Sequence, residues 1–359
     1  MSRLAIRVDT EPAYTVQVGP GLLADVAASV ASHSRTAVLA DERALELHGA
    51  RLAGLDDAPC LVLPRGEAAK SLAQLERALE FLARSELDRR SAVVAFGGGA
   101  SGDLAGLAAA LFKRGIDVVQ VPTTLLAQVD ASVGGKTAVN LSAGKNLAGC
   151  VHQPIAVLAD TTTLATLPEE EWRSGLGEVV KTALVGGERE LALVEHSRAA
   201  LLARDAAATA QVVAACVRVK AGIVAADPLE RGPRRALNLG HTFAHAIEHA
   251  AGFGRIPHGV AVAVGLGLAL EASRRAAVLE DEGLPARVAA LLAGLGLPAG
   301  LDELRAPGCE LAPAALLAGL RQDKKGAVGK PELVLLAGVG EVRVGVRVEE
   351  GLVRGVVGG

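Results

Sequence analysis

Apolar and polar positions follow two different textures along this chain. In the first half, residues 36–41 (TAVLAD), 59–64 (PCLVLP), 92–98 (AVVAFGG), 117–122 (DVVQVP) and 155–160 (IAVLAD) are short, nearly unbroken apolar runs. That is the pattern of strands covered on both faces. Between the second and third runs, SLAQLERALEFLARSEL spaces its apolar residues at three and four, which predicts an amphipathic helix. Strands separated by helices pair in parallel through right-handed crossovers, and such sheets bind ligands beyond the carboxyl ends of their strands. After residue 168 the texture changes. Up to about residue 320 the chain is rich in Ala, Leu and Val at helical spacing, with little strand signal. The tail, KPELVLLAGVGEVRVGVRVEEG, alternates again and predicts a short hairpin. The pattern thus predicts an α/β domain with a parallel sheet over residues 1–168, then a mostly α-helical domain over 169–359 that includes a C-terminal β-hairpin.

Length and composition add bounds. A chain of 359 residues is long for one core and fits two domains. A net charge of −3 with dispersed basic residues gives no polyanion-binding surface, so no nucleic-acid partner is expected. Cys60, Cys150, Cys216 and Cys309 lie far apart without a CxxC, which argues against both a zinc ligand set and a disulfide framework. The first residues carry no apolar signal-like core, and the apolar stretch 259–270 is too short to span a bilayer. A soluble cytoplasmic protein with no membrane partner is the expectation.

Two constellations carry candidate chemistry. Gly97, Gly99 and Gly102 form GxGxxG between a predicted strand and a predicted helix, where a helix N-terminus can receive a pyrophosphate. Asp103, just beyond, would either cap that helix or contact the cofactor. RGEAAK, at residues 65–70, reads on its own as a solvated loop. VPTTLLAQVDASVGGKTAVNLSAGKNL places Thr123, Thr124, Asp130, Lys136, Lys145 and Asn146 in glycine-punctuated turns. Its GGKT lacks the first glycine of a P-loop, which leaves two lysines suited equally to an anion and to solvent. In the second constellation, His241 and His245 share a helix face at i and i+4, with His258 and Glu178 as further donors. Two imidazoles and a carboxylate leave coordination positions free for substrate, as catalytic metal sites do. Glu178 and Lys181 are either a surface pair or a buried pair that needs a purpose. Glu248, one further turn along that face, adds to the site reading, while Glu248 and His249 read equally as groups that cap or pair on the helix surface; His33, His48, His152 and His196 read as isolated.

Taken together, GGGASGDLAG, the VPTTLLAQVD…GKNL segment, HQPIAVLADTTTLATLP, GEVVK, LERGPRRALNLGHTFAHAIEH and PHGVAV resemble one family, the 3-dehydroquinate synthases, from about Arg65 to Lys325. The resemblance implies a dinucleotide-binding α/β domain, a helical domain, an active site in a cleft between them, and a homodimer. It implies one divalent metal, zinc or cobalt, on Glu178, His241 and His258, which makes His245 an acid/base group rather than a ligand. NAD contacts are implied at Arg65, Gly66, Glu67, Lys70, Gly99, Ala100, Ser101, Gly102, Asp103, Thr123, Thr124, Lys136, Lys145, Thr163, Leu164, Ala165 and Thr166. Catalytic and substrate contacts are implied at Arg114, Asp130, Lys136, Asn146, Lys181, Lys220, Glu230, Arg234, Asn238, His245 and Lys324, with Arg114 reaching a neighbouring subunit. The implied substrate is the sugar phosphate 3-deoxy-D-arabino-heptulosonate 7-phosphate. The implied chemistry is transient oxidation by NAD, β-elimination of phosphate, re-reduction and aldol closure, in the shikimate route to aromatic amino acids. Ala244 replaces a glycine, Pro228 an acid, EEEW lacks an arginine and GCVHQP replaces GAFHQP; none of these removes a named catalytic group. A related sugar-phosphate cyclase, or a metal-dependent polyol dehydrogenase, would share much of this pattern.

Overall fold

The apolar runs of the first half line up as one sheet, four of them buried on both faces; the run at 59–64, expected to be covered on both, is an edge with Cys60 and Val62 exposed. The computed structural model describes residues 3–252, 254–304, 311–322 and 331–358. Contacts divide the chain into two units, Met1–Pro168 with Ala206–Leu229, and Glu169–Asp205 with Glu230–Gly359. The chain therefore passes from one unit to the other three times.

In the first unit the strands are β1 (Leu4–Val8), β2 (Tyr14–Gly19), β3 (Thr36–Asp41), β4 (Cys60–Leu63), β5 (Ala92–Gly97), β6 (Asp117–Pro122) and β9 (Ala156–Asp160), with β7 (Lys136–Leu141) and β8 (Gly144–Val151) forming a separate antiparallel pair. The seven-stranded sheet runs β1-β2-β9-β6-β5-β3-β4 and is parallel except for the β1–β2 edge. Alternate residues of β5 feed two cores. Ala92, Val94 and Phe96 pack with Leu22, Leu23 and α1 (Val26–Val30), and with Ala44 of α2 (Glu42–His48). Val93 and Ala95 pack with Leu75, Ala78 and Leu82 of α3 (Leu72–Arg84), and with Leu104, Ala105 and Ala108 of α4 (Gly99–Leu111). Every residue of β5 is buried, as a central parallel strand requires.

The helices α5 (Glu169–Gly186) and α6 (Glu188–Leu202) belong to the second unit, and α7 (Ala206–Ala226) returns to the first, where it packs on β1 and β2. By length and apolarity α7 could cross a membrane, but 61% of its most apolar window is buried in the protein, so it is a core helix.

The second unit adds α8 (His241–Ala251), α9 (His258–Arg275), α10 (Leu284–Gly294), α11 (Pro313–Gln322), the antiparallel strands β10 (Glu332–Gly338) and β11 (Glu341–Arg347), and α12 (Glu350–Val357). Within it α9 packs against both α5 and α8. The contact with α5 is very close. A Cβ on Gly177 would fall 1.9 Å from the Gly259 carbonyl oxygen, and one on Gly259 would fall 1.7 Å from that of Ser174. The Ser174 hydroxyl accepts the Gly259 N–H at 3.0 Å across the same seam.

Candidate metal centre and glycine turn

In the second unit, three residues that each adjoin a glycine converge. Glu178 follows Gly177 on α5, His258 precedes Gly259 at the start of α9, and His241 follows Gly240 at the start of α8. Gly240 has φ +77°, a conformation that favours glycine, and a Cβ there would lie 3.0 Å from the Leu266 nitrogen of α9. One donor atom from each of Glu178, His241 and His258 lies within 4.8 Å of the others. Glu178 is fully buried, with Oε1 3.3 Å from His258 Nε2 and 3.4 Å from His241 Nε2. Its Oε2 is 2.6 Å from Nζ of Lys181, itself 1% exposed.

Neither Glu178 oxygen receives a well-directed hydrogen bond, despite these short distances. Buried carboxylate oxygens in that condition, facing two imidazole nitrogens, are what a divalent cation satisfies. Two nitrogens and one oxygen are also the borderline donor set that zinc and cobalt accept. The far ring nitrogens are held as well. His241 Nδ1 lies 3.2 Å from the Leu239 carbonyl, and His258 Nδ1 3.3 Å from Oε2 of Glu248.

Burial disfavours ionisation of Glu178, but Lys181 and then His241 and His258 outweigh it and hold the carboxyl well below its usual range. Burial lowers His241 to about 3, with Lys181 adding to the effect against the pull of Glu178. Burial also opposes charge on His258, but the Glu178 and Glu248 carboxylates, each 3.3 Å from one of its ring nitrogens, lift it to about 10.

His245 is exposed, one turn beyond His241, with its ring centre 5.7 Å from that of His241 and 6.2 Å from that of His258. The closest ring pair is His241 with His258, at 5.3 Å, so the fold rather than the i, i+4 spacing selects the trio. Arg234 is 1% exposed, and Asn238 donates to Glu230 at 2.8 Å. Lys324 lies outside the described residues. Glu248, for which the sequence leaves a site role and a surface role open, is 3% exposed. The signal was present: it stands seven residues after His241, on the same face, beside Ala246 and Ile247.

In the first unit, β5 ends at Gly97 and α4 begins at Gly99, with Gly98 at the N-cap in extended backbone and no side chain capping the helix. That leaves the first-turn amides to an incoming anion or solvent. The glycines also meet protein. A Cβ on Gly99 would approach that of Ala131 to 3.0 Å, and one on Gly102 would reach Oε1 of Gln120 at 2.7 Å. Asp103 does not cap; its carboxylate takes the buried Lys70 ammonium at 2.5 Å, and Lys70 also bonds Asn146. Burial raises the Asp103 carboxyl above its ordinary value in spite of Lys70.

Ala100 and Ser101 continue the first turn of α4. Arg65 pairs with Glu42 at 3.0 Å, beside Gly66, and Glu67 accepts from Asn140 at 2.5 Å. The Thr123 N–H donates to Gly97 at 2.9 Å, and the Thr124 hydroxyl accepts the Ala127 N–H at 3.2 Å. A single π-turn, Ala127–Ala131, carries Asp130, whose carboxylate and carbonyl both receive the buried Lys220 ammonium. Thr163, Leu164, Ala165 and Thr166 form the turn after β9, with the Thr163 hydroxyl donating to Asp160 O at 2.8 Å. Lys136 and Lys145 sit on the β7–β8 pair, Lys136 exposed. Arg114 is exposed at φ +69° after α4.

Two family models match adjoining stretches of the chain: "3-dehydroquinate synthase N-terminal" over residues 60–174 and "3-dehydroquinate synthase C-terminal" over 175–326. A 3-dehydroquinate synthase of Paracoccus denitrificans is 45% identical over 353 residues, covering 96% of this chain and 95% of its own. A structure of 2-deoxy-scyllo-inosose synthase with carbaglucose-6-phosphate, NAD+ and Co2+ superposes with a TM-score of 0.85 at 26% identity, covering 99% of both chains. One of 2-epi-5-epi-valiolone synthase from Streptomyces hygroscopicus subsp. jinggangensis, with NAD+ and Zn2+, gives 0.83 at 29% identity, covering 96% of this chain and 95% of that one.

Proposed function

The chain belongs to the 3-dehydroquinate synthase family, and we propose that it converts 3-deoxy-D-arabino-heptulosonate 7-phosphate to 3-dehydroquinate and inorganic phosphate in the shikimate pathway. The observation that carries this reading is the meeting of Glu178, His241 and His258 in a chain that matches such synthases over nearly its whole length. When bound, a divalent ion on those three residues would gather adjacent hydroxyls and stabilise alkoxide charge, while NAD beside Gly99, Ala100, Ser101 and Gly102 would take up and return one hydride per turnover.

The chain's own groups hold and orient. Lys181 keeps Glu178 ionised at 2.6 Å. Lys220, positioned by Asp130, and Arg234 supply buried positive charge for the substrate carboxylate, with the planar guanidinium suited to a two-point contact. Lys136, Asn146, Arg234, His245 and Lys324 take the phosphate, which serves as its own base. Glu230 orients the Asn238 amide toward a hydroxyl. Arg65, Glu67, Lys70, Asp103, Thr123, Thr124, Lys145 and the Thr163–Thr166 turn receive NAD. The enzyme works as a homodimer in which the exposed Arg114 serves a second copy's site. Among the described residues Cys60, Cys150 and Cys216 form no disulfide, in keeping with a cytoplasmic enzyme.

The test is phosphate release from the heptulosonate phosphate with NAD in catalytic amount. The reaction borrows and returns hydride, so phosphate should appear without accumulation of NADH. Steady NADH production from glycerol or a simple alcohol, with no phosphate released, would instead make this a polyol dehydrogenase. Turnover of a different, uncharged-headed sugar phosphate in place of the acid would make it a sister cyclase.

A further inference from the structure

We propose that Glu248 is a positioning residue for the metal site: its carboxylate accepts the Nδ1 proton of His258 and so holds that imidazole with Nε2 turned toward Glu178. This rests on the reading of His258 as a metal ligand. The two imidazoles of the trio are secured differently. His241 Nδ1 is 3.2 Å from the carbonyl of Leu239, two residues earlier, a contact supplied by the backbone at the start of α8. Among the described residues the partner of His258 Nδ1 is a side chain instead, Oε2 of Glu248, which approaches to 3.3 Å from ten residues earlier on α8. The segment joining α8 to α9 contains Gly252 and Gly254 at φ +84° and +85°. The Glu248 contact ties the residue that follows this segment back to the helix that precedes it.

Glu248 is 3% exposed and is absent from the tight donor cluster formed by Glu178, His241 and His258. A buried carboxylate just outside a donor set, within reach of the far nitrogen of one imidazole, selects the tautomer whose other nitrogen presents a lone pair. An anionic acceptor is the partner such imidazoles commonly have, and its removal typically weakens metal binding about 10–100-fold.

The experiment compares the full-length protein with Glu248→Gln, Glu248→Ala and His258→Ala. The readouts are the zinc dissociation constant from competition with a chromogenic chelator, the visible spectrum of the cobalt form, and far-ultraviolet circular dichroism. Glu248→Ala should weaken zinc about 10–100-fold. Glu248→Gln, whose amide oxygen still accepts from Nδ1, should recover part of that loss and shift the cobalt spectrum, and with saturating metal it should keep most of kcat. A folded Glu248→Gln with wild-type zinc affinity and an unaltered cobalt spectrum overturns the proposal, and this holds even if the alanine variant fails to fold. Full metal content in His258→Ala would overturn the ligand assignment itself, an outcome separate from any result at position 248.

Discussion

Gly177 and Gly259 touch backbone to backbone: a methyl group on the first would lie 1.9 Å from the carbonyl oxygen of the second. Each is the chain neighbour of a donor, Glu178 or His258, so the closeness of α5 and α9 sets the distance between carboxylate and imidazole. Gly259→Ala should destabilise the protein by about 1–3 kcal/mol or more, the scale of overpacking a closed seam. It should also weaken zinc binding. Gly222→Ala, on α7 with open space around it, should be neutral or slightly stabilising. Thermal melts and chelator competition on both variants check this. Equal melting temperatures would show that the seam yields.

Chelation should abolish phosphate release, and zinc or cobalt should restore it. After dialysis, Glu178→Gln, His241→Ala and His258→Ala should each retain little metal. If all three keep a full equivalent by elemental analysis, the ion sits elsewhere.

The uncapped start of α4 gives a test of the nucleotide turn. Gly98→Asp places a capping carboxylate where the backbone is already extended, but its Cβ would meet Thr124 Cγ2 at 3.3 Å, so helix stability should change by only about a few tenths of a kcal/mol. The same charge should repel a pyrophosphate and raise the NAD dissociation constant by roughly tenfold or more, about 1.4 kcal/mol. Isothermal titration with NAD measures it, and unchanged affinity would remove this turn from the cofactor site.

Lys220→Ala and Arg234→Ala should each lower kcat/KM for the acidic sugar phosphate by roughly 10–150-fold, since a charged hydrogen bond contributes about 1.5–3 kcal/mol. Neither change should matter to a neutral polyol. Steady-state kinetics on both substrate types separates a charge-binding role from a general loss of fold.

On α9, Glu271 takes hydrogen bonds from Arg274 and then Arg275, which outweigh partial burial and lower its carboxyl to about 2 from an ordinary 4.5. A depressed acid stabilises the folded chain above its unfolded value, and that contribution fades as pH falls from 4.5 toward 2. The side chain is 31% exposed, so Glu271→Gln should cost less than about 1 kcal/mol at pH 7. Denaturant melts should show the gap between wild type and variant narrowing as the pH approaches 3. A gap that widens in acid would contradict the pairing.

The parallel strands were legible because β3, β5, β6 and β9 are covered on both faces and read as unbroken apolar runs. By contrast β7 and β8 were read as turns. Most of β8 is exposed, so its sequence carries no burial pattern, and glycines at 134, 135 and 144 suggest only bends. The donors of the candidate metal centre were legible as residue types. Their grouping was not legible from spacing, because i, i+4 favours His241 with His245 while the α5–α9 seam brings His258 closer; the family resemblance supplied the trio of Glu178, His241 and His258. Glu248 stayed ambiguous because an acid three residues after a histidine on a helix looks solvated until the helix that covers it is known.

The three passages of the chain between its units bear on how the protein is made. A nascent chain that has reached Pro168 holds every strand of the large sheet, yet α7, which lies on β1 and β2 and carries Lys220, is synthesised only after α5 and α6. Domains of a growing chain tend to fold in order of emergence, but here the first cannot close until part of the second has left the ribosome. A gene cut after Pro168 would therefore yield an N-terminal piece that lacks the helix covering β1 and β2, and so is prone to aggregate. Any functional transplant of the nucleotide-side unit into another protein must carry residues 206–229 with it.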